Sequence, residues 1–186
     1  MKVKLANVRL SFPQLFEPKE FSPGDGKPRY DATFLIVPGS ANDKAIRAAI
    51  EAEGAEKLEK KWPMFKKANE ANSTKWAYLD GDTKSYDGYA GHMYLACHSK
   101  ARPLVIDRNK SPLTAQDGKP YAGCFVNATV EIYVQAADNP GLRAGFSGVQ
   151  FAGDGDAFSA GGPASLDEFD DITDGADAGE FADDLG

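Results

Sequence analysis

Three observations predict a mainly β chain closing into a small antiparallel barrel with one inserted helical segment. Along residues 124–135, Cys124, Val126, Ala128, Val130, Ile132 and Val134 alternate with Phe125, Asn127, Thr129, Glu131, Tyr133 and Gln135. Period two sends the first set to a core and the second to a wetter face. Several further runs of this kind are divided by turn signals, with a single helical stretch among them and no βαβ rhythm. Finally, so long a strand in a chain of 186 residues has to bend, because a strongly twisted sheet closes on itself or splits. Gly123 at the start of the run is placed to supply a kink.

The other elements follow in chain order. Val3 and Leu5 fall on odd positions, but Val8, Leu10 and Phe12 fall on even ones, so a first strand over 2–12 carries a bulge at Ala6-Asn7. Pro13 to Pro28 is dense in turn residues and is expected to be a loop. Tyr30 to Val37 forms the second strand, ending at Pro38-Gly39. Ser40 is a helix N-cap with Asp43 three residues on, and Ala41 to Lys61 is a helix burying Ile46, Ala49, Ile50 and Leu58. Gly54 weakens that helix and marks a place for it to break, while Pro63 ends it or starts another turn. Trp62, Phe65 and Trp76 are expected to pack in the core or against the helix. His92 to His98, Arg102 to Asp107 and Leu142 to Phe151 complete the strands, with Met93, Leu95 and Cys97 pointing inward. Among small barrels the OB-fold fits this series best, against the alternative of a different β-sandwich or barrel. The expected class is therefore an OB-fold-like five-stranded antiparallel barrel over residues 1–151.

Composition changes at Ala152. No Lys or Arg follows Arg143, and residues 152–186 hold 11 acids. Residues 1–151 hold the other 17 of the 28 acids and all 21 bases, so a body of net charge +4 precedes a strongly acidic end, although the whole chain is at −7. Little in 152–186 can offset the entropy of ordering it, so a flexible, disordered acidic tail is expected there. Segregated charge keeps nucleic acid among the partners that an evenly acidic protein would repel. No apolar run approaches the roughly 20 residues that span a bilayer, and the N-terminus lacks a signal's apolar segment, so a cytoplasmic protein is expected. Cys97 and Cys124 belong to no Cys-x-x-Cys pair and are expected as buried thiols rather than a disulfide.

Catalytic signatures are absent. His92 and His98 have no acid or nucleophile at triad spacing, and Cys97 and His98 point to opposite faces of one strand, which argues against a zinc site with Cys124. Asp80-Gly-Asp82 and Asp154-Gly-Asp156 lack the glutamate that would complete a calcium loop, and there is no phosphate-binding glycine motif. Neither enzyme activity, metal nor cofactor is expected. What the sequence does hold is aromatic rings interleaved with cations near strand ends: Tyr86, Tyr89 and Tyr94 with Lys100 and Arg102, Arg108 and Lys110 in the next loop, Lys119 and Tyr121 before the long strand, and Tyr133 on its outer face. Single-stranded nucleic acid needs this pairing, with rings to stack on bases and cations along the phosphates. The acidic end can compete with phosphate through its flexible linker, and its embedded apolar residues make Phe169-Asp170-Asp171-Ile172 and Phe181, Asp183 and Asp184 candidates for docking a partner.

Tyr-Ala-Gly-Cys-Phe-Val-Asn-Ala-Thr-Val at 121–130, Arg-Pro-Leu-Val-Ile-Asp at 102–107, Gly-Phe-Ser-Gly-Val-Gln-Phe at 145–151 and Arg-Tyr-Asp-Ala-Thr-Phe-Leu-Ile at 29–36 resemble the phage-encoded OB-fold single-stranded DNA-binding proteins. The resemblance covers about residues 1–155 and rests on structural motifs, so no fixed set of binding residues comes with it. It implies a replication or recombination protein that coats single strands in the host cytoplasm and recruits enzymes through an acidic C-terminus. Such tails often finish on an aromatic, whereas this one ends Phe181-Ala-Asp-Asp-Leu-Gly186. The competing expectation is a phage structural or adaptor protein using the barrel to bind other proteins. A homo-oligomer is compatible with either.

Overall fold

The alternation along residues 124–135 becomes a long strand whose inward side chains, Val126, Ala128, Val130 and Ile132, are buried in the core. The computed structural model describes residues 1–159 together with Phe169 and Ile172. Its strands are β1 (Lys2–Glu20), β2 (Pro28–Ile36), β3 (Tyr78–Asp80), β4 (Met93–Ser99), β5 (Leu104–Ile106), β6 (Phe125–Gln135) and β7 (Gly141–Gly153). They form one sheet in the order β3-β4-β2-β1-β6-β7-β5, and β4 also pairs with β7. That extra pairing closes a five-stranded barrel from β1, β2, β4, β7 and β6. The neighbours within it are antiparallel except at the closure, where His98 meets Gly145 in parallel. The strand connectivity is that of an OB-type barrel, with β3 and β5 as short additions at its edges.

The expected bulge is present: the register of β1 against β6 slips between Leu5 and Val8, and Asn7 has a φ of 54°. Pro13 to Pro28, by contrast, is not one loop. β1 runs on to Glu20 and pairs Lys19 with Arg29 and Glu20 with Pro28, so only residues 21–27 turn. Pro13 and Pro18 fall inside register shifts, where no ladder N–H is required. The Glu20 carboxylate closes the tip by accepting the Gly24 and Gly26 amides at 2.6 and 2.9 Å.

The helical insertion is longer than the sequence pattern indicates. α1 (Ala41–Leu58) starts at the expected cap, where the Ser40 hydroxyl accepts the Asp43 amide at 3.2 Å. A 3-10 turn over 59–61 then leads into α2 (Trp62–Asn69). Gly54 does not break α1. A Cβ there would lie 2.1 Å from the Trp62 ring, so the missing side chain is what lets α2 fold back onto α1. Trp62 stacks on Trp76 with centroids 6.0 Å apart, both buried as expected. Cys97 and Cys124 are free and buried, and burial pushes the Cys124 thiol up to about 11. Among the described residues no helix is long and apolar enough to cross a membrane.

Residues 154–159 do not leave the barrel at the change of composition. They lie as a strap across its outer face, and Phe158 is buried against Leu35, Tyr89 and Tyr94. Burial thus reaches Phe158, seven residues beyond the expected limit of the body at Phe151. The expected disorder beyond Ser159 concerns residues that, apart from Phe169 and Ile172, lie outside the described ones.

Candidate nucleic-acid interface

Outward residues of β2 and β4 face one another across the ladder, Asp31 beside His98, Thr33 beside Ala96 and Leu35 beside Tyr94. This face, β1 and the β1–β2 hairpin enclose a groove of 660 Å³. Aromatic rings stand at its two ends. At one end, Phe12 and Tyr86 are both exposed and meet edge to face with centroids 4.9 Å apart, and Tyr86 meets Tyr89 at 5.3 Å. At the other, Phe21 on the hairpin is 75 % exposed, and the Arg29 guanidinium lies 4.6 Å from its ring centre.

Lys19, Arg29 and Lys84 bring cations to the walls, and the acids are tied up in local contacts. Glu20 caps the hairpin tip as described. One oxygen of Asp31 lies 3.0 Å from Arg29 Nε and 2.5 Å from His98 Nδ1. Arg29 Nε nevertheless has no hydrogen bond of good geometry. Flat apolar rings with cations on either side can stack bases while phosphates run along the rim.

The structure sorts the sequence-predicted residues into three places. Tyr86, Tyr89 and Tyr94 come together at the groove, but only Tyr86 offers a free ring. Tyr89 and Tyr94 are 2 % and 7 % exposed and back the wall, with the Tyr89 hydroxyl donating to Ser11 Oγ at 3.1 Å. Burial raises both phenols above their ordinary range. Lys100 and Arg102 are exposed in the connection from β4 to β5 and do not line the groove.

A second set occupies the connection from β5 to β6. Arg108 and Lys110 are exposed there. Lys119 pairs with Asp107 at 3.1 Å and lies 4.9 Å from the Phe151 ring centre, and the Arg108 amide and Lys119 hold that carboxyl below its usual range. The Tyr121 hydroxyl donates to Asp154 at 2.7 Å; burial, then that carboxylate, raises its pKa. Tyr133 is alone in a third place, exposed on β6 opposite Arg143 of β7. Of the tail candidates, Phe169 and Ile172 are exposed, while Asp170, Asp171, Phe181, Asp183 and Asp184 lie outside the described residues.

Sequence reasoning missed Phe12, Lys19, Phe21, Arg29 and Lys84. Lys19-Glu20-Phe21 carries the same alternation of cation and ring used elsewhere to nominate sites, but it sits in a stretch whose prolines and glycines read as a loop. Phe12 was hidden by parity, since Val8 and Leu10 place it in the inward series.

Comparison with known proteins agrees with the barrel. Over 84 % of this chain and 88 % of the other, it matches the C-terminally truncated single-stranded DNA-binding protein of bacteriophage Enc34 with a TM-score of 0.62 and 23 % identity. Against the structure of that phage's protein in complex with single-stranded DNA, the values are 0.65 and 21 %, with 85 % and 89 % covered. At those identities the likeness is one of fold. In sequence, the chain is 52 % identical over 177 residues to protein p50 of Acyrthosiphon pisum secondary endosymbiont phage 1, covering 93 % of this chain and 95 % of that one. The family model for the single-stranded DNA-binding protein of Enterobacter phage Enc34 matches residues 1–181, and the chain belongs to that family.

Proposed function

We propose that this protein binds single-stranded DNA, largely without regard to sequence, in the groove on the outer face of β1, β2 and β4. The observation that carries this reading is the pairing of open rings with cations in one concave surface: Phe12 and Tyr86 at one end, Phe21 under Arg29 at the other, with Lys19 paired beside Arg29 and Lys84 also on the lining. Each base stacked on such a ring contributes about 1–3 kcal/mol, and any base has a face to offer. It is not an enzyme: it belongs to a family of single-stranded DNA-binding proteins. Its role would be to coat strands during phage replication or recombination in the host cytoplasm. The acidic segment beyond Ser159 would compete with the strand for the groove and recruit partner proteins once displaced, as a tethered ligand at high effective concentration does.

The test is fluorescence anisotropy with labelled oligo-dT, with and without duplex competitor, on the full chain and on a chain ended after Ser159. Cutting at Ser159 rather than Phe151 leaves the strap in place. The reading predicts binding that duplex DNA does not displace at equal concentration, tighter binding by the shortened chain, and a salt slope of about −0.7 per phosphate neutralised. Absence of oligonucleotide binding at low salt would overturn it in favour of a protein-binding adaptor. Equal affinity of the two chains would remove the tail from the account.

A further inference from the structure

The strap over residues 154–159 makes contacts that a nucleotide would make. The Phe158 ring lies 4.4 Å from the Arg9 guanidinium carbon, against Leu35, Tyr89 and Tyr94. Its amide donates to the Ala122 carbonyl at 3.0 Å. Arg9 turns Nη2 onto the Asp156 carbonyl at 2.7 Å, while its Nε is held by Gly123 O at 3.1 Å. The wall beside the ring is Gly88, with a φ of 79°, where a Cβ would lie 2.5 Å from Phe158 Cζ. A flat six-membered ring therefore fits a slot made by a cation, apolar side chains and a glycine, while the Ala122 carbonyl holds the backbone amide behind it. The slot is not isolated: the small cleft beside Phe158 is lined by Phe12 and Tyr86, the rings at the near end of the groove.

We propose that the Arg9–Gly88 slot is a further nucleobase subsite, suited to a pyrimidine, which Phe158 fills until a longer strand displaces it. The proposal rests on the groove binding single-stranded DNA. In the closed form Phe158 stands for the base and the Asp156 carbonyl for a phosphate or base oxygen. When the strap lifts, Arg9 Nη2 is released to take either, and Phe125, 5.7 Å from Arg9, continues the line of rings toward β6. The strap is held at its far end by Asp87, whose carboxylate accepts both the Ser159 amide at 2.9 Å and its hydroxyl at 2.5 Å. Those two bonds hold the Asp87 carboxyl below its usual range. A strand reaching past Tyr86 has to break these contacts, so the protein has a short binding mode with the strap seated and a longer one with it lifted.

A lock tests this directly. In the full chain carrying Asp87→Cys and Ser159→Cys, a short bis-alkylating reagent ties the strap down, and the same protein before linking is the control. Cys97 and Cys124 are buried and do not compete for the reagent. Linking should leave the affinity for oligo-dT of about four nucleotides unchanged and weaken that for about twelve nucleotides at least tenfold, a short and a longer length within the roughly 4–16 nucleotides that one OB fold covers. Phe158→Ala should tighten binding of the longer oligonucleotide several-fold without altering the shorter. Hydrogen exchange should show the Phe158 amide losing protection with the longer oligonucleotide alone. Equal binding of both lengths by linked and unlinked protein would overturn the subsite while leaving the groove intact, and absence of binding at either length would overturn both.

Discussion

At Phe12 a φ of 46° turns the ring out of the inward series Val8 and Leu10 and onto the groove wall, and the register of β1 against β2 slips immediately after Ser11. Ser11 is buried in its place and accepts the Tyr89 hydroxyl. A single extra residue in a strand thus exchanges a core position for one on the groove, which is how bulges re-aim side chains. Arg29 is likewise set by its neighbours, over the Phe21 ring and drawn toward Asp31. Tyr86→Ala and Arg29→Ala should each weaken oligo-dT binding about tenfold, the effect of one lost stack or clamp. Tyr133→Ala, on a different face, should stay within about twofold. Anisotropy titrations check this, with thermal melts to show that each variant is folded. A larger loss at Tyr133 than at Tyr86 would move the interface to β6 and β7.

Among the elements, α1 is joined to β3 by one buried carboxylate. Asp43 accepts the Tyr78 hydroxyl at 2.6 Å, the Gly39 amide at 2.8 Å and Arg47 Nε at 2.8 Å. Burial opposes its ionisation, but the Tyr78, Gly39 and Arg47 contacts outweigh it and hold the carboxyl below its ordinary value. A carboxyl depressed in the folded state contributes stability that is complete above its unfolded pKa and is lost as pH falls through the folded one. Asp43→Asn should therefore lower stability at neutral pH by about 1–3 kcal/mol, with the gap to the parent protein narrowing below about pH 4. Urea unfolding across that range measures it, and a gap independent of pH would show that Asp43 contributes no charge-dependent stability.

Elements with strong periodicity were legible from sequence, while those shaped by distant contacts were not. β6 was readable because its two faces meet core and solvent in strict alternation. The first bulge was readable because parity changed from Leu5 to Val8. The hairpin arm was not, because its strands pair chiefly with one another and need no apolar face, so Pro13, Pro18 and the glycines of its tip look like loop. Tyr89 and Tyr94 read as open rings because what covers one of their sides is Phe158, two residues after a Gly-Asp-Gly-Asp stretch whose composition suggests a spacer.

For the whole molecule, charge and shape divide the work. A body of net +4 carries the groove, and the 11 acids after Ala152 begin with Asp154 and Asp156 on the strap, close to Tyr121 and Arg9. The end of the chain therefore starts from a fixed point beside Phe12 and Tyr86, within easy reach of the groove. The interface was only partly legible because rings and cations that lie close in sequence fall on three separate places once the barrel closes. The most direct measurement is photocrosslinking of the full chain to oligonucleotides carrying 5-iodouracil, followed by mapping of the modified residues. Crosslinks at Phe12, Tyr86 and Phe21 are the predicted result; crosslinks confined to Tyr133, or to Tyr121 and its connection from β5, would contradict it.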